Sequence, residues 1–263
     1  MNILDKIVAV KREEVKGRKI ANPVSALERS DFFNLRMPSF YDSLSKPSPS
    51  VIGEFKRKSP SRGDINPGAS IREVALGYQD AGVAAMSVLT DEEFFGGKDS
   101  DLQAVAQILQ IPILRKDFII DEYQVIEAKS IGSSAILLIA SILSKKEVNI
   151  FSGIAMNLGM DILFEIHDKS DLDKISQNIK IIGVNNRNLK TFEVSIDNSY
   201  DLFKHLPHDC LKVAESGFQT SEDVMRLFKK GYDAFLIGES FMKSEDPGKS
   251  AAAFIYNLKS INR

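Results

Sequence analysis

The chain has 263 residues, 43% of them hydrophobic, and its 34 basic and 36 acidic residues leave a formal net charge of -2. This length can bury one large core and lies in the range of a single α/β barrel, while two domains stay open by length alone. The near balance of charge excludes a bulk attraction to nucleic acid or to an anionic membrane, so an anionic ligand has to be held by local groups.

The cysteine content and the N-terminus predict a cytoplasmic protein. Cys210 is the single cysteine and cannot form an internal disulfide, and the first residues mix charged with apolar side chains, unlike a secretion signal. The longest apolar stretch, about residues 135–140, is far shorter than the roughly 20 residues that span a bilayer. We therefore expect a soluble protein without a nucleic-acid or membrane partner.

About fifty residues precede the first predicted strand. Apolar residues recur at helical spacing over residues 2–19, which predicts an amphipathic helix. The mixed-sign charges between them, which include Lys11, are expected to form a solvated face. Asn22-Pro23 begins a second short helical segment, and the sequence Ser-Lys-Pro-Ser-Pro-Ser at 45–50 is typical of an extended linker.

Eight short runs rich in Val, Ile and Leu follow the linker, and each precedes a turn and a stretch with helical periodicity. The runs begin near Val51, Ala84, Pro112, Ala135, Asp161, Lys180, Leu211 and Ala234. They are apolar almost throughout, as expected of parallel strands that are buried on both faces. An open doubly wound sheet is disfavoured, because no Gly-x-Gly-x-x-Gly follows the first strand. The pattern predicts an α/β fold, a single (β/α)8 TIM barrel domain over residues 1–263 with residues 1–50 as an N-terminal helical extension.

Polar side chains follow five of the predicted strands at the point where each strand ends, and in this fold the active site lies at those ends. They are Glu54 and Lys56 after the first strand, Lys116 after the third, Glu165 after the fifth, Asn185 and Arg187 after the sixth, and Glu215 after the seventh. Any one of them alone fits a surface charge on a loop. Five strand ends that meet in one cavity instead predict groups that shift each other's pKa values for acid and base catalysis.

Histidine and cysteine do not suggest a metal site or a cysteine nucleophile. His167, His205 and His208 are scattered, and none has metal-ligand spacing to another histidine or to the cysteine. His167 is expected to be a solvated loop residue at the rim of the barrel. Cys210 precedes a strand and is expected to be a packing residue. We assign no metal.

The seventh and eighth strands end in small residues that suit an anion. Ser216-Gly217 and Gly238-Glu239 stand where this fold commonly binds phosphate, because backbone N–H groups can approach the anion closely there. Lys56 would add a positive charge. The working hypothesis is a phosphorylated small-molecule substrate.

Several motifs resemble the indole-3-glycerol phosphate synthase family, and the resemblance covers essentially the whole chain. They are Glu-Phe-Lys-Arg-Lys-Ser-Pro-Ser-Arg-Gly at 54–63, Leu-Thr-Asp-Glu-Glu-Phe-Phe-Gly-Gly at 89–97, Leu-Arg-Lys-Asp-Phe-Ile at 114–119, Gly-Val-Asn-Asn-Arg-Asn-Leu at 183–189, Ala-Glu-Ser-Gly at 214–217 and Leu-Ile-Gly-Glu at 236–239. The run Glu-x-Lys-x-x-Ser-Pro-Ser is highly specific, whereas Ala-Glu-Ser-Gly alone is weak.

The resemblance implies a reaction of tryptophan biosynthesis. The family closes a ring in 1-(2-carboxyphenylamino)-1-deoxyribulose 5-phosphate and releases CO2 and water, which yields indole-3-glycerol phosphate. It uses neither a metal nor an organic cofactor, so none is expected here. In that family the N-terminal extension lies over the barrel mouth and helps to close the substrate site.

The resemblance also implies a role for each matching residue. Lys116 would be the general acid and Glu165 the general base, and Lys56 would pair with a substrate anion and assist the dehydration with Glu54. Asn185 and Arg187 would position the anthranilate side, and Glu215 would hold sugar hydroxyls or orient a lysine. The expected phosphate ligands besides Lys56 are Ser216, Gly217, Gly238 and Glu239. The expected apolar walls are Phe95, Phe118, Leu137 and Leu189, with Ser59 and Pro60 shaping a loop over the substrate.

Two positions depart from the family pattern. Gly53 stands where the family often has Ala, and Glu239 where Ser is common. An acidic side chain would repel phosphate, so we expect the Glu239 carboxylate to turn away from it. No second barrel follows Arg263, so we expect no fusion with the neighbouring isomerase of the pathway. We also expect a monomer.

Two alternatives stay open. A phosphosugar isomerase on the same barrel, such as phosphoribosylanthranilate isomerase, would use a Cys/Asp acid–base pair, and Cys210 is predicted at the wrong end of its strand. A non-catalytic barrel subunit is disfavoured because every expected acid and base is present.

Overall fold

The computed structural model describes residues 3–188 and 192–261. Three helices precede the barrel: α1 (Ile3–Ala21), α2 (Val24–Leu27) and α3 (Phe40–Leu44). In the part of the chain that is described, no helix combines the length and the apolarity needed to cross a membrane.

The chain then alternates between strands and helices. In order these are β1 (Ser50–Phe55), β2 (Lys58–Ser59), β3 (Gly63–Asp64), α4 (Ile71–Ala81), β4 (Ala85–Leu89), α5 (Glu92–Phe95), α6 (Asp99–Ala106), β5 (Ile113–Lys116), α7 (Glu122–Ser130), β6 (Ala135–Ile139), α8 (Lys145–Asn157), β7 (Asp161–Ile166), β8 (Ile181–Asn185), α9 (Asp197–Phe203), β9 (Leu211–Glu215), α10 (Ser221–Lys230), β10 (Ala234–Ile237), α11 (Glu239–Met242) and α12 (Pro247–Ile261). Short 3-10 helices follow β6 and β7, at Ala140–Ile142 and Lys169–Lys174.

Eight parallel strands of the described residues close into a barrel in the order β1-β10-β9-β8-β7-β6-β5-β4, which confirms the predicted (β/α)8 fold. Neighbouring strands pair so that their polar ends lie at one level: Asn185 is opposite Glu215, and Glu165 is opposite Gly183. The parallel arrangement therefore brings side chains that are far apart in sequence to one end of the barrel.

The helix boundaries follow from capping residues. Ser144 and Glu147 form a reciprocal capping box at the start of α8, and the side chains of Ser70 and Thr220 accept hydrogen bonds at the starts of α4 and α10. Such caps satisfy backbone N–H groups that have no partner inside the helix.

The N-terminal helices contact both ends of the barrel. Helix α3 lies at the amino-terminal end, where the backbone N–H groups of Phe40 and Tyr41 donate to Asp161, the first residue of β7, at 2.8 and 2.9 Å. Helix α1 contacts the opposite end, since Lys11 forms ion pairs with Asp91 and Asp117, which follow β4 and β5. The extension thus joins the loops around the barrel mouth to the barrel floor.

After β1, Lys58–Ser59 and Gly63–Asp64 pair as a short antiparallel hairpin around Pro60.

One expectation is wrong in detail. The charge run of α1 is not wholly solvated, because the Lys11 side chain is only 1% exposed and meets three carboxylates. Local periodicity cannot reveal a buried charge whose partners lie on distant loops.

Candidate active site

A cavity of about 150 Å³ opens at the carboxyl ends of the barrel strands. It is lined by many of the predicted site residues: Glu54, Lys56, Phe95, Lys116, Phe118, Leu137, Glu165, Asn185, Arg187, Glu215, Ser216, Gly217, Gly238 and Glu239. These residues come from all eight barrel strands and the segments that follow them. The structure therefore brings together groups that the sequence places up to 185 positions apart, from Glu54 to Glu239.

Lys116 lies between two glutamates in this cavity. Its ammonium group donates to Glu165 Oε2 at 2.9 Å and to Glu215 Oε2 at 2.7 Å. Both carboxylates are almost completely buried, and the Lys116 side chain is 12% exposed. One positive charge is thus shared by two negative groups in a site that excludes most water.

The environment separates the pKa values of the two glutamates. Burial alone would raise the pKa of Glu165, but the positive charge of Lys116 and hydrogen bonds from Lys116 and Asn185 outweigh it and lower the pKa. Burial raises the pKa of Glu215, and repulsion by Glu165 and Glu54 adds to this rise while Lys116 opposes it. Two carboxylates that share one lysine titrate as a coupled pair, so Glu165 keeps the negative charge and Glu215 holds a proton more readily.

The same cluster holds Lys116 in its charged form. Burial would lower the pKa of the ammonium, but the negative charges of Glu165, Glu215 and Glu54 raise it above the usual range. A lysine held in this way is a weak acid until a partner carboxylate moves or loses its charge.

Gly183 makes room for Glu215. A Cβ atom at position 183 would lie 2.1 Å from Glu215 Oε1 and 3.1 Å from a methyl group of Leu163. A side chain there would push the Glu215 carboxylate out of its present position. This role of Gly183 cannot be found from the sequence, because a glycine in an apolar strand gives no sign that another strand's side chain approaches closely.

Glu54 and Lys56, two residues apart at the end of β1, form an ion pair. The Lys56 ammonium lies 2.6 Å from Glu54 Oε1, and both groups are largely buried. They extend the charged cluster from Lys116 towards β10, the strand that pairs with β1.

Gly53 precedes this pair and packs against an aromatic ring. A Cβ at position 53 would lie 2.6 Å from Tyr78 Cδ2, and the Tyr78 hydroxyl donates to the backbone oxygen of Glu54 at 3.3 Å. Position 53 therefore has glycine in place of the family's frequent alanine because the Tyr78 ring occupies the space that the alanine methyl group would need.

Asn185 and Arg187 connect the charged cluster to the outer rim. Asn185 hydrogen-bonds Glu165, and its Oδ1 accepts from the Arg187 backbone N–H at 3.0 Å. The Arg187 guanidinium reaches Ser61 Oγ at 3.3 Å and Glu239 Oε2 at 3.5 Å. Arg187 thus bridges the hairpin after β1 and the start of α11.

The predicted phosphate end has an unusual backbone. Ser216 has a φ of 70° and Gly217 a φ of 93°, so a residue other than glycine is held in the left-handed region. Such a conformation costs about 1 to 3 kcal/mol and is common at functional sites. Burial would raise the pKa of the nearby Glu239 carboxyl, but hydrogen bonding to Lys243 and the charges of Lys243 and Arg62 lower it.

One side of the cavity is apolar. Phe95 and Phe118 pack with their ring centroids 5.9 Å apart, and Leu137 lies buried beside them. Leu189, the fourth predicted wall residue, lies outside the described residues. Ser59 and Pro60 belong to the hairpin and do not line the cavity. The next residue, Ser61, makes the contact with Arg187 instead.

A second group of charges supports the site from outside the barrel. Arg115 is fully buried and binds Asp99, Asp117 and Glu127. Asp117 also meets Lys11 at 3.1 Å, and these two cations outweigh its burial and lower its pKa to about 2. In the sequence, Asp117 is only the residue after Lys116 in the motif Leu-Arg-Lys-Asp-Phe-Ile at 114–119. Its partners in α1 and β5 could not be found from spacing alone.

His167 is not the solvated loop residue that the sequence suggested. Its side chain is 14% exposed, and its Nε2 lies 3.5 Å from Glu165 Oε1. Cys210 is buried, as predicted, and its thiol lies 3.5 Å from the backbone oxygen of Ile179, just before β8. The cysteine is therefore remote from the carboxyl ends of the strands, where an isomerase of this fold would need it.

Comparison with known proteins agrees with this geometry. A family model described as indole-3-glycerol phosphate synthase matches residues 4–254. A protein of that name from Bacteroides thetaiotaomicron is 41% identical over 254 residues, covering 97% of this chain and 98% of the relative. Another, from Caldanaerobacter subterraneus subsp. tengcongensis, is 43% identical over 251 residues, covering 93% of this chain and 94% of the relative.

Solved structures with low sequence identity share the fold. The 3-hexulose-6-phosphate synthase of Salmonella typhimurium superposes with a TM-score of 0.63 at 12% identity, over 80% of this chain and 99% of that protein. The tryptophan synthase α-subunit of Pyrococcus furiosus gives a TM-score of 0.59 at 16% identity, over 80% and 98%. From the family match and the two relatives, the chain belongs to the indole-3-glycerol phosphate synthase family, carboxy-lyases of tryptophan biosynthesis.

Proposed function

We propose that the cavity described above converts 1-(2-carboxyphenylamino)-1-deoxyribulose 5-phosphate into indole-3-glycerol phosphate, with Lys116 and Glu165 as its principal acid and base. The observation that carries this proposal is the ammonium of Lys116 held at 2.9 Å from Glu165 and 2.7 Å from Glu215. An acid and a base in hydrogen-bond reach of each other at one cavity wall are what a sequence of proton transfers to one substrate needs.

The proton balance of the reaction defines the tasks. The ring carbon that bears the carboxylate attacks the ketone carbon, and the ketone oxygen takes a proton. Loss of CO2 leaves the bonding electrons in the ring. The hydroxyl then leaves as water with a second proton, and the carbon next to nitrogen gives up one proton. Each turnover therefore takes up one proton in total.

Lys116 protonates the ketone oxygen. Its pKa is raised while Glu165 and Glu215 are both close to it, so the proton is released only when a bound substrate alters these contacts. A carboxylate that turns towards the substrate would lower the pKa of Lys116 at the moment when the oxygen becomes basic. Glu165 stabilises the positive charge that develops on the substrate and accepts the returned proton.

Glu215 is the second proton store. Its raised pKa means that it is partly protonated near neutral pH, and its hydrogen bond orients Lys116. The Glu54–Lys56 pair assists the dehydration, which needs a further acid beside the leaving hydroxyl.

The two ends of the substrate bind at different walls. The anthranilate ring lies against Phe95, Phe118 and Leu137, because an aromatic ring gains free energy by leaving water for an apolar surface. Lys56 and the backbone N–H groups around Ser216, Gly217 and Gly238 hold the phosphate, and Asn185 and Arg187 position the anthranilate side.

The remaining expectations concern the setting of the enzyme. We expect residues 1–50 to act with the barrel as one domain, and the chain to work in the cytoplasm as a monomer. Light scattering after gel filtration of the purified chain would show the mass of a monomer, and a dimer mass would contradict this expectation.

The activity test supplies the carboxyphenylamino-deoxyribulose phosphate and follows indole fluorescence. The unchanged chain should give product, and Lys116→Ala should lose about 100- to 10,000-fold in kcat, the usual contribution of a positioned acid or base. Lys229→Ala is the matched control, because Lys229 is exposed on α10, far from the cavity lining. Full turnover by Lys116→Ala would contradict the assigned mechanism.

A further inference from the structure

We propose that His167 delivers to Glu165 the proton that each turnover takes up, and that this proton enters through a second cavity beside the substrate cavity. This inference rests on the proposed function, because the net uptake of one proton belongs to that reaction. This proton has to be replaced before the next turnover can begin.

The contact between His167 and Glu165 uses the carboxylate oxygen that Lys116 leaves free. Lys116 donates to Glu165 Oε2, whereas His167 Nε2 lies 3.5 Å from Glu165 Oε1. The two sides of one carboxyl group therefore face the general acid and an imidazole ring. A carboxyl group with a donor on each side can take a proton from one and pass it to the other after turning about its Cγ–Cδ bond.

The second cavity lies on the far side of this pair. It has a volume of about 560 Å³, and His167 lines it while Glu165 does not. Glu165 lines the substrate cavity, which His167 does not reach. Asn185 and Arg187 line both cavities and form the wall between them. The Glu165–His167 pair is thus a polar connection between two spaces that side chains otherwise separate.

The His167 ring is not fixed by other groups. Its Nδ1 and Nε2 atoms are both buried, and neither has a hydrogen-bond partner among the residues that the structure describes. Buried polar atoms are nearly always hydrogen-bonded, so an unbonded imidazole beside a glutamate needs an explanation. A ring without fixed partners can turn and present either nitrogen to Glu165 or to the second cavity.

Charged and polar groups surround His167 on the side of the second cavity. On its own stretch of chain these are Asp168 and Asp171, and Asp171 also accepts from the His167 backbone N–H at 2.9 Å. From the elements packed against it, the charged side chains that line the same cavity are Asp5 of α1 and Arg187 and Glu193 of the loop after β8, while Asn198 of α9 donates to the His167 backbone oxygen. The His167 ring therefore lies between Glu165 and a cavity lined by polar groups.

The transfer balances without any further reactant. Starting from the imidazolium, Nε2–H gives its proton to Glu165 Oε1, and the ring becomes neutral. Glu165 passes this proton to Lys116, and Lys116, whose charge interacts with Glu54, gives its own proton to the Glu54–Lys56 pair. That pair is left one proton short because it protonates the leaving hydroxyl, while the proton that Glu165 takes from the substrate carbon returns to Lys116. The neutral ring then takes a proton from solvent in the second cavity. Histidine suits this task because it exchanges protons near neutral pH.

The test compares steady-state turnover of His167→Ala with added imidazole. The variant should lose about 10- to 100-fold in kcat with a KM within about twofold of the unchanged chain, because proton delivery and not substrate binding is impaired. Imidazole should restore kcat in proportion to its concentration, since the deleted ring leaves a space that opens into the second cavity. His208→Ala is the matched control, because His208 is exposed and should keep full activity without any effect of imidazole.

A single-turnover experiment distinguishes proton delivery by His167 from a role of His167 in orienting Glu165. With enzyme in excess, His167→Ala should convert the first substrate at nearly the unchanged rate, because Lys116 already carries its proton. Unchanged steady-state kcat, or an equal loss in the first and later turnovers without rescue, would overturn the proposal. If His167→Ala does not fold, His167→Gln replaces it in the same single-turnover comparison. Absence of product from the unchanged chain would instead refute the proposed function.

Discussion

The Lys11 ammonium lies 3.1 Å from a carboxylate oxygen of Asp117, the residue between Lys116 and Phe118. The same ammonium lies 2.9 Å from Asp91, whose other oxygen accepts from the Phe94 backbone N–H at the start of α5. One side chain of the N-terminal helix is therefore bonded to the strand end that carries the proposed acid and to the helix that carries Phe95.

Replacing Lys11 by Met should destabilise the fold and impair the site. The variant leaves Asp91 and Asp117 buried without their shared cation, and loss of one member of a buried ion pair costs about 3 to 5 kcal/mol. We expect that decrease in the free energy of unfolding in urea, together with a lower kcat. Lys16→Met is the matched control on the same helix, since Lys16 is 73% exposed. A difference of less than about 1 kcal/mol between the two variants would show that the Lys11 contacts do not hold the helix to the barrel.

Replacing Gly183 by Ala should disable the site without touching an ionisable residue. The new methyl group would lie 2.1 Å from Glu215 Oε1, so the carboxylate has to leave Lys116. We expect a fall in kcat of about 100-fold, the low end of what a displaced acid–base group costs. Gly153→Ala is the control, because a Cβ there meets only Asn178 Nδ2 at 4.0 Å and alanine favours the helix. Unchanged turnover by Gly183→Ala would mean that Glu215 does not need its present position.

Glu215 should make the stability of the protein depend on pH. Its folded pKa, raised to about 8, lies above the ordinary value of 4.5, so the folded state binds the proton more tightly. Its stabilising contribution is therefore complete below about pH 4.5 and is lost as the pH rises towards 8. Glu215→Gln removes the titrating group, so this loss of stability should be absent from the variant. Between pH 5 and pH 8 the urea midpoint of the variant should therefore rise relative to that of the unchanged chain. Glu245→Gln, an exposed control, should follow the unchanged chain, and parallel curves for all three proteins would contradict the prediction.

The sequence was sufficient to predict the barrel and most of the residues that line the cavity, and the reason is physical. Parallel strands buried on both faces have a strong apolar pattern, and their carboxyl ends must meet, so Lys116, Glu165 and Glu215 could be placed together without coordinates.

What the sequence could not predict depends on distant partners. Lys11 fits an amphipathic surface pattern, and its burial follows only from the loops that hold Asp91 and Asp117. Gly183 has meaning only once Glu215 of the next strand lies against it. His167 follows a strand like many loop residues, and its contact with Glu165 depends on how the chain turns into the 3-10 helix Lys169–Lys174.

Glu239 should limit the affinity of the site for the phosphate of the substrate. Its carboxylate lies 2.6 Å from the Lys243 ammonium, 3.1 Å from Arg62 Nε and 3.5 Å from the Arg187 guanidinium. The Glu239 carboxylate thus already pairs with three cations close to Gly238, the residue that is proposed to bind the phosphate of the substrate.

Replacing Glu239 by Ser should release these cations for the phosphate and lower KM by about threefold to tenfold, since a partly exposed charged contact is worth about 1 kcal/mol. Glu239→Gln keeps the size and removes the charge, so it should shift KM in the same direction. Inorganic phosphate, measured as a competitive inhibitor, should bind more tightly to both variants by the same factor, because the effect lies in the anion site. A higher KM in both variants would show that Glu239 instead holds Arg62 and Arg187 in the positions that the substrate needs.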